Sequence, residues 1–429
     1  MPARSTEHGD GEGRRVSVAD GGGRPRGASP FAEVVPTLCF VAAYVAAIAM
    51  WLVAGDVLPG GRLLAVHLFT LGVLTNAVLA FSEHFSRAVT HTPGQRAGWW
   101  TWAINASIVL VLIGVATGWL PALAAGATLL VTLVAAAGWR LRRMRRDAIG
   151  ARFRWVVRLY EGAHLAFVYA AVLGGLLGVG LVAGPWYLGV RLAHLHANVL
   201  GWGGLTLLAT LVFFGPTMAR TRIEEGADER AARALRRGGA ALAVAVLLLL
   251  LLGLPEIWGT AARIAAGVAL AGFAWAATAV CLPVLRAVAA ARPTAQRPLV
   301  LGVLLWLPAV VWIDAMVVAA GSWRWMDALG AAALAGVLTP AILATLLYLA
   351  PMLRGRTTGQ RELVRLRLEV GGRVRAVAVN LGVAGVVIGA SRLAGEVPVA
   401  GVGWSLLGGA VIITATTALW PLPATQKTV

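Results

Sequence analysis

Twelve long apolar runs constrain this chain more than any other feature. They span 34–55, 61–82, 98–119, 120–138, 156–180, 190–215, 238–254, 260–285, 299–320, 328–350, 376–394 and 402–420. A helix needs about 20 mostly apolar residues to cross the hydrocarbon core of a bilayer. The third and fourth runs meet at Trp119–Leu120–Pro121, where a proline suits a tight turn between two spans. Of the 429 residues only 13% are charged, too few to give a polar skin to the two or three soluble domains such a length would form. A soluble globular enzyme is thereby excluded. Cys39 and Cys281, the two cysteines, lie inside apolar runs and make no disulfide framework. The expected fold is all-α, a polytopic membrane bundle of twelve transmembrane helices over 31–423. A polar tail at 1–30, expected to be disordered and cytoplasmic, and a cytoplasmic tail at 424–429 flank it. Residues 1–30 do not read as a signal peptide, and the first run is long enough to remain an anchor.

The net charge of +18 would suggest nucleic acid in a soluble protein. Its placement gives another meaning. With a cytoplasmic N-terminus, every Lys and Arg falls in a cytoplasmic loop or tail except Arg62, Arg191, Arg263, Arg324 and Arg392. Cytoplasmic loops carry the basic excess of membrane proteins, so this sorting supports twelve spans with both termini inside. The arginines anchor the helices near anionic headgroups, and no nucleic-acid partner is expected.

The exceptional arginines also mark a repeat. Arg62 begins Arg-Leu-Leu-Ala-Val-His67 at the head of the second helix, and Arg191 begins Arg-Leu-Ala-His-Leu-His196 at the head of the sixth. Gly72 and Gly201 each follow five residues after the histidine. Arg324 precedes the tenth helix in the same way, with Leu329 in the histidine's place. Three parallel four-helix units are expected, over about 34–138, 156–285 and 299–420.

Ionisable side chains inside a membrane are costly and are functional candidates by default. Here they are His67, Glu161, His164, His194, His196 and Asp314. At 1.5 Å per residue, His67, His196 and Asp314 lie at a similar depth of roughly 9 Å from the outer ends of their helices. Two imidazoles at one depth on separate helices can ligate one copper ion or the two faces of one heme. His67 and His196, matched by the repeat, are the expected ligands. His194 points about 200° away from His196 and shares a face with Asn198, which makes both supporting groups. Asp314 requires a partner, either Arg324 or a histidine of the same layer. Glu161 and His164 share a face near the cytoplasmic side and form a possible proton path, or a pair satisfied near the headgroups with Arg158 as a partner. Glu83 and His84 are assigned to the interface without a special role.

The stretch Arg191-Leu-Ala-His-Leu-His196-Ala-Asn198, followed by Gly201-Trp-Gly-Gly and Ala209-Thr210, resembles the heme-ligand helix of cbb3-type oxidases and nitric oxide reductases. The twelve-helix plan, with its outer-layer histidines, is similar to the catalytic subunit of heme–copper oxidases. The resemblance implies metal ligands on the second, sixth and tenth helices, with His67 at the place of the low-spin heme ligand and His196 at that of a copper ligand. The tenth helix here has no histidine, and the seventh lacks the adjacent His pair for copper. The chain looks more like the divergent relatives, NnrS-type heme and copper proteins and the oxidase-like membrane segments associated with actinobacterial copper nitrite reductases. That implies heme b, copper or both as cofactors and an inner-membrane location. It implies a role in respiratory electron transfer, nitrogen-oxide metabolism or copper handling, with a periplasmic copper protein or other redox partner. If the chain is an enzyme, the resemblance makes it an oxidoreductase. A bacterial source also fits the near-exclusive use of Arg over Lys, with Lys427 the single lysine. A proton-coupled transporter and a metal-free scaffold subunit are the alternatives the residues leave open.

Overall fold

A computed structural model describes residues 35–55, 59–92, 98–148, 153–355, 357–391 and 399–420. Both tails named above and Arg392 lie outside the described residues. The described chain folds into thirteen helices, and no strand occurs among them. Twelve are long and apolar enough to cross a membrane: α1 (Val35–Ala54), α2 (Gly61–Thr90), α3 (Trp99–Thr117), α4 (Leu120–Asp147), α5 (Arg154–Gly178), α6 (Trp186–Met218), α7 (Ala227–Gly253), α8 (Glu256–Ala290), α9 (Arg297–Ala320), α10 (Trp323–Arg354), α12 (Gly372–Ser391) and α13 (Val399–Ala418). The thirteenth, α11 (Thr358–Glu369), is a short helix with Val364 and Leu368 buried and a Thr357 side-chain cap. Large apolar residues such as Val268, Met316, Val377 and Ile412 stand exposed on the outside of the bundle, as a lipid-facing surface requires. The fold is that of a multi-pass membrane protein.

Several helices outrun the apolar windows. The fourth run ends at 138, but α4 continues through Arg140–Arg146 to Asp147. The seventh run begins at 238, but α7 starts at Ala227. Hydropathy marks the slab of hydrocarbon, whereas arginine propagates a helix well beyond it. The turn at Trp119–Leu120–Pro121 is as expected: Gly118 closes α3 with φ 73° and Pro121 sits in the first turn of α4.

The helices pack in quartets with one pattern. In α1–α4 the first packs on the second, the third on the fourth, and the second on the fourth. The same relations hold in α5–α8 and in α9, α10, α12 and α13, with α4 on α5 and α8 on α9 as joints. The second helix of each quartet contains a π-helical stretch, at Leu68–Thr75, Ala197–Gly204 and Ala332–Leu338. A hydroxyl from Thr75 donates to the Thr70 carbonyl, and one from Thr339 to that of Leu334, each five residues back.

These three helices meet at three levels. At the arginine-poor end Arg62 of α2 bridges Asp327 of α10 at 2.9 Å. Midway, Gly203 of α6 lies so close to Leu338 of α10 and Leu74 of α2 that a Cβ there would stand 3.3 and 3.5 Å from their methyl groups. Toward the arginine-rich end Phe214 packs tilted against Phe85 and edge-on against Tyr348, with ring centres 4.8 and 5.2 Å apart. The core is thus centred on α2, α6 and α10, and the candidate residues lie along its α2–α6 side.

Candidate functional site

His67, His194, His196 and Asp314 form one layer near the arginine-poor end, but they join as two pairs. The His67 and His194 rings are near-parallel, 21° apart, with centres 6.5 Å apart. His196 Nε2 lies 3.1 Å from an Asp314 carboxylate oxygen. Asp314 therefore has a histidine of the layer as its partner, and His67 faces His194 rather than His196.

Backbone carbonyls fix the state of each ring. His67 Nδ1 donates to the Leu63 carbonyl at 2.8 Å, one helical turn back. His194 Nδ1 instead crosses to α5 and donates to the Ala170 carbonyl at 2.7 Å. A carbonyl only accepts, so each Nδ1 carries the hydrogen and a neutral ring leaves its lone pair on Nε2. Among the described residues His67 Nε2 has no hydrogen-bond partner. That of His194 has only the Asn198 amide at 3.5 Å, an amide that also donates to the His194 carbonyl at 3.1 Å. Asn198 thus steadies the turn that carries His194. Both rings remain partly exposed.

His196 is different. Its Nδ1 donates to the Leu192 carbonyl at 2.8 Å, and its Nε2 meets the carboxylate. With two acceptors facing it, the ring and Asp314 must hold a proton between Nε2 and the carboxylate. His196 is 1% exposed and both of its nitrogens are engaged.

Gly174 of α5 also shapes the His194 site. A Cβ there would fall 2.5 Å from His194 Cε1 and 2.8 Å from Nδ1, so any side chain at 174 would displace the ring. The hint in the sequence was a Gly-Gly pair, Gly174–Gly175, within an apolar helix.

The expected Glu161–His164 pair has separate partners. Glu161 takes Arg145 in a two-pronged contact at 2.5 and 3.1 Å, not Arg158. His164 is buried, donates from Nδ1 to the Tyr160 carbonyl at 2.7 Å, and stands edge-on to Trp202 with ring centres 4.9 Å apart. It shares a small cavity with Ser82, Glu83 and Arg140. Glu83 accepts from Arg87 at 2.6 Å and also from Arg140 of α4, which makes it a buried ion-pair centre rather than an interfacial residue.

No group of three or more His, Cys, Asp or Glu side chains that could hold a metal ion occurs among the described residues. The chemistry the layer offers is that of two imidazole lone pairs. Neither a protein-family model nor a curated protein matches the sequence.

Proposed function

We propose that the protein is a membrane-embedded redox protein that binds a heme iron or a copper ion between His67 and His194. The observation that carries this is the spacing of the two rings. A metal ion between them would be held by Nε2 of each ring, the nitrogen that each Nδ1–H bond to a carbonyl leaves with its lone pair. The rings are 6.5 Å apart. Their Nδ1–H groups are tied to carbonyls, which favours Nε2 as the ligand atom and raises its basicity.

The ligand count narrows the metal. Zinc and copper(II) sites ordinarily take three or four protein ligands. Heme iron brings four nitrogens of its own, so two histidines would complete its set, and copper(I) would be satisfied by a low coordination number. Either group supplies one-electron transfer. The chain contributes orientation of both imidazoles and a low-dielectric setting, with the His196–Asp314 pair beside it. His67 and His194 are the proposed ligands, and Asn198, His196 and Asp314 support them.

This reading suits a bacterial inner-membrane protein of the divergent heme–copper oxidase-like class. A role follows in respiratory electron transfer, nitrogen-oxide metabolism or copper handling, with a periplasmic copper protein or other redox donor as partner. The three recurrent π-helical stretches and the shared quartet packing favour three related four-helix arcs. The test is metal content. Protein purified from heme-supplemented and copper-supplemented cultures should carry about one equivalent of b-type heme or of copper. Protein with neither would refute the assignment.

A further inference from the structure

The arginines of α4 divide by face. Arg140 and Arg145 turn inward and meet Glu83 and Glu161. Arg142, Arg143 and Arg146 are exposed, and among the described residues none of the three has a hydrogen bond or an ion pair. Theirs is the lipid-facing side of the helix. Exposed positions recur three and four residues apart along α4, at Leu129, Thr132, Ala136, Trp139, Arg143 and Arg146, which is the spacing of a single helix face. The face that meets acyl chains therefore runs without a break into three unpaired guanidiniums.

Tryptophan marks where the hydrocarbon ends. Trp99 and Trp102 of α3 and Trp139 of α4 stand exposed. Arg140 lies over the Trp100 ring at 5.2 Å, which brings the tryptophans of the two helices to one level. Exposed tryptophan collects at the headgroup boundary of a membrane. An arginine beyond that boundary ordinarily extends toward water. Arg142 and Arg143 instead fold back, with their guanidinium carbons 5.7 and 5.8 Å from the Trp139 ring centre. Side chains on a helix lean toward its N-terminus, and α4 runs toward the arginine-rich end, so the lean carries both guanidiniums toward the bilayer. Stacking on one ring holds two like charges at headgroup depth with no carboxylate between them. A phosphate relieves that repulsion, and its oxygens match the guanidinium fork. On the bilayer side of Trp139 the face carries Thr132, Ala135 and Ala136, small side chains that let an acyl chain lie close to the helix.

We propose that the lipid-facing side of α4 around Trp139 is a binding site for one anionic phospholipid. Its phosphodiester accepts hydrogen bonds from Arg142 and Arg143, Arg146 adds positive charge on the water side, and an acyl chain runs along Ala136 and Thr132. General attraction to a charged surface requires no particular residue, whereas this site requires arginines stacked on a tryptophan. It involves no metal and is independent of the His67–His194 assignment.

Native mass spectrometry of the full chain tests this, with the protein released from detergent containing equal amounts of phosphatidylglycerol and phosphatidylcholine. The first lipid retained should be phosphatidylglycerol. An arginine near an anionic surface is worth roughly fivefold in affinity, so Arg142→Gln/Arg143→Gln should weaken that first step about 25-fold. Trp139→Leu removes the ring and should weaken it roughly two- to fivefold. Arg236→Gln/Arg237→Gln removes the same charge from two exposed arginines of α7 that have no aromatic residue within a turn, and should leave the step unchanged. Excess inorganic phosphate should not release the lipid. In the unmodified protein, a phosphatidylglycerol with a diazirine near its glycerol should label the 132–143 stretch of α4. Equal retention of the two lipids, equal weakening in the two double variants, release by inorganic phosphate, or label spread evenly over the helices would overturn the proposal.

Discussion

At the arginine-rich end, Glu83 takes Arg87 and Arg140, and Glu161 takes Arg145, so both carboxylates meet guanidiniums. At the arginine-poor end, His67 and His194 face each other with their Nε2 lone pairs unopposed by any strong donor. Both regions are half-buried polar clusters between neighbouring helices. The first is complete in itself, since each charge has its opposite and the arrangement locks α2, α4 and α5 together. The second leaves two imidazole lone pairs, the groups the proposed metal would use. A satisfied cluster contributes to stability, and an unsatisfied one in a membrane marks function. His196–Asp314 lies beside the second region but belongs with the first kind, for its one shared proton already closes the pair.

Removing charges from the first region therefore costs stability and little else. Glu83→Ala leaves two guanidiniums without their carboxylate. Breaking a buried ion pair costs about 3–5 kcal/mol, and the partial exposure of both arginines places this case at the low end. Intrinsic tryptophan fluorescence during a thermal ramp in detergent should show the largest fall in melting temperature of any variant named here, with metal content unchanged. Asp314→Ala removes the partner of His196 Nε2 and should cost about 1–3 kcal/mol in the same assay, the desolvation of one orphaned buried group. Asn76 and Asn105 exchange two amide hydrogen bonds across α2 and α3 at 2.9 and 3.0 Å. Asn105→Ala should cost about 0.6 kcal/mol, and at most about 1.7, as interhelical hydrogen bonds in membranes do. The smallest effect belongs to α11, where Arg365 donates to Glu362 and holds its carboxyl below the usual carboxylate range. A lowered folded-state pKa means stabilisation present above the unfolded value and lost as pH falls through the folded one. A slight acid-side drop in melting temperature should vanish in Glu362→Gln.

Much of this architecture is legible in the sequence because lipid imposes one rule on every span. Twelve apolar runs become twelve long helices, and the depth count places His67, His196 and Asp314 in one layer. The partners within that layer are not legible. A 3.6-residue period shows that His194 and His196 point apart, but not which one turns toward α2, since the rotation of α6 is set by packing at Gly174 and Gly203. The matched Arg-x4-His motifs align His67 with His196 along the chain, and equivalent places on two helices need not touch. The π-helical stretches leave no mark in a hydropathy pattern either. Glu83 looks interfacial in sequence because Arg140, its partner on α4, lies 57 residues away.

His67 and His194, not His196, are the proposed metal ligands. Parallel purification of His194→Ala and His196→Ala, each compared with the unmodified protein by reduced-minus-oxidised spectrum and by copper content, tests this assignment most directly. His194→Ala should lose the bound heme or copper while His196→Ala retains it. Loss in His196→Ala with retention in His194→Ala would contradict it.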